Sequence, residues 1–213
     1  MKVPDANPLP DPPPRERVIS DDRLPGERVI LEVLKFWFGE RPGSARVEWF
    51  RKDPAFDAQI RRRFGALHEA AARRELDAWR ASAEPMLALV VVLDQFSRNL
   101  HRDDPRAFAQ DAYARECAVE ALQRKDDLAL LPVQRQFLYM PFEHSESLDD
   151  QEKGVELMRS LEAFEETRGL SQWAIRHRDI VARFGRFPHR NAVLGRASTP
   201  EEIAFLATPG SGF

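Results

Sequence analysis

The chain is poorest in the residues that staple, cross membranes or build sheets. Among 213 residues there is one cysteine, Cys117, so no internal disulfide can form, and a reducing cytoplasmic setting is expected. The longest purely apolar run, residues 86–93, has eight members, against the roughly 20 that a membrane-spanning helix needs. The opening Met-Lys-Val-Pro-Asp has no apolar stretch of the kind that forms a secretory leader, and none is expected. Threonine occurs three times and tyrosine twice, and alternating apolar/polar runs are scarce, which argues against strands. Basic charge is not in excess: 35 Asp and Glu stand against 32 Lys and Arg, for a formal charge of −3. That excludes a globally basic nucleic-acid binder. Neither a nucleic-acid partner nor a membrane is expected. Phosphate-cradling glycine loops, a nucleophile elbow, Cys-x-x-Cys and His-Glu-x-x-His are all missing, so no cofactor and no metal site are predicted.

Helix signals dominate what is present. Asp53-Pro54, Asp104-Pro105 and Thr199-Pro200 each set an N-cap residue before a proline at the first helical position, where its missing N–H costs nothing. Glu202 completes a capping box with Thr199. Apolar residues at helical spacing, such as Phe56, Ile60, Phe64 and Leu67, mark one buried face. The pattern predicts helices near 26–38, 54–73, 84–97, 105–124, 132–141, 148–168, 172–184 and 200–207. The fold class is all-α, with antiparallel hairpins stacked in a compact, solenoid-type, tetratricopeptide-like arrangement. Seven of sixteen prolines fall within residues 1–25. That segment reads as an extended or disordered tail, or else a polyproline docking peptide, ahead of one helical domain over 26–213.

Three constellations carry the chemistry. The helix over 84–97 is apolar on every face and then turns polar at Asp94-Gln-Phe-Ser-Arg98-Asn99. An aspartate near a helix C-terminus opposes the macrodipole and needs a partner, which Arg98 supplies at i+4. The pair either fastens the helix end or faces a ligand. Next, Tyr139-Met-Pro-Phe142-Glu143-His144 sets an adjacent acid and imidazole beside apolar bulk. These are either an acid–base pair, or His144 caps the carbonyls of the preceding helix. In the third, Trp173, His177, Ile180, Val181 and Phe184 share one helix face, followed by Arg186-Phe-Pro-His189-Arg190-Asn191. Residues 176–196 carry a local charge of +5 and residues 143–166 one of −7. Either the two blocks neutralise each other as neighbours, or Arg186, His189 and Arg190 face an open anion site. Arginine outnumbers lysine 27 to 5, most of it read as background on solvated helix faces. Phe96-Ser-Arg-Asn99 weakly echoes Phe187-Pro-His-Arg-Asn191, as if two guanidinium and two amide groups surrounded one cavity.

Leu34-Lys-Phe-Trp37-Phe38-Gly39, Trp49-Phe50, Leu93-Asp-Gln-Phe96-Ser-Arg-Asn99, Pro105-Arg-Ala-Phe108-Ala, Phe137-Leu-Tyr-Met-Pro-Phe-Glu-His-Ser-Glu146, Gln151-Glu152 and Arg183-Phe-Gly-Arg-Phe-Pro-His-Arg-Asn191 resemble the uncharacterised, mainly bacterial family known as domain of unknown function 924. The likeness runs from about Val29 onward. It implies an all-helical, tetratricopeptide-like fold and brings no activity. Position by position, the family's polar signature falls on Asp94, Gln95, Arg98, Asn99, Glu143, His144, His177, Arg186, His189, Arg190 and Asn191. Ser97 stands where the family pattern reads proline, and His101 where it reads an aromatic, so His101 is left out of the site.

The leading expectation is a pocket for a small anionic molecule, lined by Asp94, Arg98, Asn99, Tyr139, Glu143, His144, His177, Arg186, His189, Arg190 and Asn191. Arg98, Arg186 and Arg190 hold a carboxylate or phosphate, Asn99 and Asn191 orient it, and Trp37, Tyr139 and Phe142 form apolar walls. A hydrolase-type alternative uses Glu143/His144 or Asp94/His177 as an acid–base pair on an anionic ester, though no nucleophile is evident. A third reading is a scaffold for a protein partner, whose polar residues are spent on internal ion pairs.

Overall fold

A computed structural model describes residues 25–212, so all of the expected proline-rich tail except Pro25 lies outside the described residues. The architecture is all-helical. Its α-helices are α1 (Pro25–Phe38), α2 (Pro54–Ala72), α3 (Ala83–Val90), α4 (Ser97–Leu100), α5 (Asp111–Arg124), α6 (Pro132–Glu143), α7 (Leu148–Arg159), α8 (Leu170–Phe184) and α9 (Pro200–Leu206). A π-helical turn, Val91–Phe96, joins α3 to α4 without a break. No strand occurs among the described residues, and none of their helices is long and apolar enough to cross a membrane.

The proline punctuation works as chemistry requires. Asp53 Oδ1 accepts from the N–H groups of Ala55 and Phe56 at 2.9 and 3.3 Å, which starts α2. Thr199 and Glu202 form a reciprocal capping box on α9. Asp104 also accepts from a backbone N–H, that of Arg106, but starts only a 3₁₀ turn, Pro105–Phe108. The helix expected over 105–124 is therefore two elements, with α5 beginning at Asp111. The segment expected over 148–168 stops at Arg159, α8 starts at Leu170, and α6 runs through Pro141 to Glu143.

The buried segment lies at the centre. Every residue from Met86 to Ser97 is buried, and α3 packs on α1, α5 and α6. Sequence neighbours α5 and α6, α6 and α7, and α7 and α8 also pack on one another. Aromatic rings fill the space beside α1: Trp37 meets Phe137 edge-on with centroids 5.5 Å apart, and Trp49 meets Phe137 at 4.7 Å. Such pairs add about 0.5–1.5 kcal/mol each beyond the area they bury. The C-terminal carbonyls of α6 are satisfied by one side chain: Gln151 Nε2 donates to the carbonyl oxygens of Phe142, Glu143 and Ser145 at 3.3, 2.7 and 2.6 Å. At Gly154, a β-carbon would sit 3.4 Å from both Glu143 N and Phe142 Cβ, so α7 lies tightly against this helix end.

One expectation about α8 is corrected. Trp173 shares the sequence face of Ile180 and Val181, yet it is 52% exposed. It lies near the start of the helix, where the Arg176 guanidinium covers its ring at 4.8 Å in place of apolar neighbours.

Candidate functional site

The polar end of the buried segment meets the end of α6. Asp94 sits in the π turn and is 0% exposed. Its Oδ1 accepts from His144 Nδ1 at 2.7 Å and pairs with Arg98 Nη1 at 3.2 Å, while Oδ2 accepts from Gln95 Nε2 at 2.6 Å. Arg98 also donates to the Asp94 carbonyl at 2.7 Å, which locks the i, i+4 pair. Burial opposes the charged form of Asp94, but Arg98 and His144 outweigh it and hold the carboxyl well below the usual carboxylate range. Because an ionised Asp94 can only accept, the neutral His144 ring carries its proton on Nδ1 and its lone pair on Nε2. Burial, then Arg98, drives the His144 pKa down against the pull of Asp94, so the ring is uncharged at neutral pH.

Asp111, in the first turn of α5, ties the two arginines together. Its Oδ2 accepts from Arg98 Nη2 at 3.1 Å and from Arg190 Nη1 at 3.3 Å. Arg190 lies in a 3₁₀ turn, Pro188–Arg190, reached because Gly185 closes α8 at φ +67°, in the left-handed region that favours glycine. It is only 6% exposed. Its guanidinium lies between the rings of Phe108 and Phe187, at 4.5 and 4.6 Å. Burial lowers the Arg190 pKa to about 10, which still leaves it charged. Its Nε has no hydrogen-bond partner among the described residues.

Behind His144 sits a second acid–imidazole contact. Glu143 Oε2 is 3.7 Å from His177 Nδ1, which instead donates to the Trp173 carbonyl at 2.8 Å. Burial, reinforced by negative Asp94, pushes the Glu143 carboxyl up to about 8, so it is protonated at neutral pH. Burial also lowers His177 to about 3, and burial with Arg190 lowers His189 to about 4. The pairing thus differs from expectation: Asp94 partners His144 and Glu143 lies by His177, the reverse of the proposed acid–base pairs. Nor does the His144 side chain cap helix carbonyls; Gln151 does that.

A cleft of about 510 Å³ opens over this cluster. His144, Asp111, Arg190, Glu146, Arg115 and Asp150 present polar groups to it, and Pro105, Phe108 and Leu194 supply apolar wall. Glu146 accepts from the Phe187 backbone N–H at 2.8 Å and takes a two-pronged contact from Arg196 at 2.7 and 2.9 Å. Arg196 reaches on to the Phe187 carbonyl and to Asn191 Oδ1. The loop bearing Arg190 is therefore strapped to the end of α6. At the cleft's mouth, Asp150 pairs with Arg115 at 3.3 Å and accepts from Ser145 Oγ at 2.6 Å.

Of the residues singled out from sequence, Asp94, Arg98, Glu143, His144, His177, His189 and Arg190 come together. Four do not. Asn99 donates to Asp57 at 2.7 Å. Tyr139 donates to Asp127 and accepts from Arg135 Nε, at 2.7 and 3.0 Å. Arg186 is held by both oxygens of Glu202 at 2.6 and 2.8 Å, and Asn191 donates to Ser198 and Glu202. The apolar wall is formed by Phe108 and Leu194; Trp37 lies in the aromatic core instead. The acidic and basic blocks meet as neighbours, through Arg178 to Glu152 and Arg196 to Glu146. Sequence reasoning missed Asp111 and Arg196. Glu146 and Phe187 stood inside quoted motifs but were not chosen. No group of three or more His, Cys, Asp or Glu among the described residues is placed to hold a metal ion.

Comparison with known proteins places these features in a lineage. A solved structure of a protein of unknown function, ATU0120 from Agrobacterium tumefaciens, is 43% identical, aligns over 85% of this chain and 98% of its own, and superposes with a TM-score of 0.77. No curated protein matches. The family described as bacterial protein of unknown function, DUF924, matches residues 33–210, which contain every residue of the cleft. The chain belongs to the DUF924 family.

Proposed function

We propose that the cleft binds a small anionic molecule, a carboxylate or phosphate, with Arg190 as its principal anchor and Arg98 behind it. The observation that carries this reading is Arg190 itself: a buried, charged guanidinium lining the cleft, sandwiched by two aromatic rings, with its Nε hydrogen unaccepted among the described residues. A buried donor without an acceptor costs about 1–3 kcal/mol, and a planar guanidinium donates along its edge. Phe108 and Leu194 would cover the apolar part of the ligand. The test is thermal melting with millimolar acetate, malonate and phosphate against chloride of equal ionic strength. Stabilisation of the parent protein and its loss in Arg190→Ala are expected. A chloride-like response to every anion would sink the reading.

A second reading, hydrolysis of an anionic ester in a tetratricopeptide-like cytoplasmic protein, is favoured by the Asp94–His144 contact. An imidazole at a cleft with Nδ1 tied to a buried carboxylate has the orientation of a general base. Nε2 would take a proton from water as its oxygen attacks the ester carbonyl, then return that proton to the departing alkoxide. Turnover of p-nitrophenyl hydrogen succinate, absent in His144→Gln, is the expected result; equal rates in both proteins would refute it. The scaffold reading draws on the ion pairs, since Arg98, Arg186 and Arg190 each hold an internal carboxylate. The large exposed apolar side chains, among them Phe50, Leu128, Trp173 and Ile203, stand on separate elements.

A further inference from the structure

The charges in and under the cleft are matched one for one. Arg98 faces Asp94 and Asp111, Arg190 faces Asp111, Arg196 faces Glu146, and Arg115 faces Asp150. That makes four guanidinium groups and four carboxylates. The remaining titratable neighbours, Glu143, His144, His177 and His189, are uncharged at neutral pH. A bare anion entering this site would bring an unmatched negative charge into a poorly hydrated cluster, a costly arrangement. One more positive charge would restore the match.

We propose that the cleft takes up its anion together with one proton from solvent, and that His144 receives it on Nε2, so that the ligand is a weak-acid anion bound as the equivalent of the neutral acid. This rests on the anion-binding reading above and adds to it a proton and the atom that holds it. Geometry selects His144 among the candidates. It alone of the three histidines lines the cleft. Its Nδ1–H is already fixed on Asp94 at 2.7 Å, so the second proton must go to Nε2, and the resulting imidazolium lies between the buried Asp94 carboxylate and the incoming anion. The groups facing it favour a poised state: Asp94 on the π turn and Asp111 on α5 draw the proton in, while burial and Arg98 on α4 hold it off. An anion held at Arg190, which lines the same cleft, adds a negative charge on the ring's open side and draws the proton in further. Glu143, on His144's own helix, already carries a proton. Glu146, beside it in the cleft, is spent on Arg196 and the Phe187 N–H. On the far side His177 has its Nδ1–H on the Trp173 carbonyl.

Acetate and dimethyl phosphate test this cleanly, because each keeps a single negative charge across neutral pH, so any proton taken up goes to the protein. Calorimetric titration of the full chain at pH 7.5, in two buffers of different protonation enthalpy, should show about one proton absorbed per anion. Affinity should weaken about tenfold per pH unit above neutrality, the dependence of a one-proton linkage. His144→Gln should still bind through Arg190 but lose both the proton uptake and the pH slope. Nitrogen-15 NMR of the parent protein identifies the protonated ring independently of whether that variant folds: the His144 Nε2 signal should move to its protonated position when acetate is added at constant pH. Binding without proton uptake would overturn this inference and leave the anion reading standing. Uptake that NMR places on His177 or His189 would also overturn it. If neither anion binds, the anion reading itself fails.

Discussion

Oδ2 of Asp111 accepts from both Arg98 and Arg190, at 3.1 and 3.3 Å, joining the end of the central buried helix to the loop that follows α8. One carboxylate thus bridges two largely buried guanidinium groups, of which Arg98 also holds Asp94. Asp111→Asn keeps the shape and removes the charge, leaving Arg190 without its ion partner. A loss of about 3 kcal/mol in urea denaturation is expected, the scale for breaking a buried pair from one side. A loss under about 0.5 kcal/mol would mean that the arginines find other partners at no cost.

Ser97 opens α4 and is wholly buried. Its Oγ lies 2.7 Å from His68 Nε2 and donates to the Leu93 carbonyl. Ser97→Ala would leave a buried imidazole N–H unpaired, so a cost of about 1–3 kcal/mol is expected. Adding His68→Phe should recover part of it. If the two losses simply add in chemical denaturation, the contact contributes nothing.

Glu143 is protonated in the folded protein up to about pH 8, whereas an unfolded glutamate ionises near 4.3. Between those values the folded state binds more protons than the unfolded one, so this group lowers stability as pH rises. Glu143→Gln should therefore gain stability over the parent as pH rises from about 5 to 8, by up to about 1.4 kcal/mol per pH unit. A gain that does not vary with pH would rule out this protonation state.

His68, His177 and His189 follow the opposite sign. Burial lowers them to about 4, 3 and 4, while the unfolded rings take up protons below about 6.5. The unfolded state binds more protons in that window, so stability is lost as pH falls from about 6.5 toward 4, each ring contributing up to about 1.4 kcal/mol per pH unit. Glu143 offsets one of the three. Denaturation midpoints at pH 7 and pH 5 measure the slope, which should flatten in His177→Phe.

Arg196 touches no part of the Asp94–His144 pair, yet it fixes the loop that carries Arg190 by way of Glu146, Phe187 and Asn191. Arg196→Met should cost about 1–2 kcal/mol. Amide hydrogen exchange at residues 187–191 should quicken well beyond the change elsewhere; a uniform change would show that the strap does not localise the loop.

The helices were legible wherever local chemistry decides them. Asp53 and Thr199 cap as their Asp-Pro and Thr-Pro-Glu-Glu contexts require, and Asp94 and Arg98 pair because four residues bring side chains to one helix face. The failures are also geometric. Asn99 and Asn191 each follow a site arginine by one residue, which on a helix turns the side chain roughly 100° away. Two guanidinium groups could therefore converge while the two amides diverged. Arg186 was claimed by Glu202, whose capping role was read but whose second partner was not. Asp111 gave no signal, since an acid in the first turn of an amphipathic helix is ordinary. Only the packing of α5 beside α6 and the π turn turns it into the hub of two arginines.

The π turn that holds Asp94 makes the site a matter of phase. A π-helical turn contains one more residue than the α-helical turn it replaces, so Val91–Phe96 offsets the angular register between the apolar residues of α3 and everything after them. Winding those residues as plain α-helix with none removed would swing either the core face or the Arg98 end by roughly 100°. Every side chain of the cleft would still be encoded, yet His144 would no longer meet a carboxylate. The cluster is thus specified by how this one turn is wound as much as by the identities of its residues.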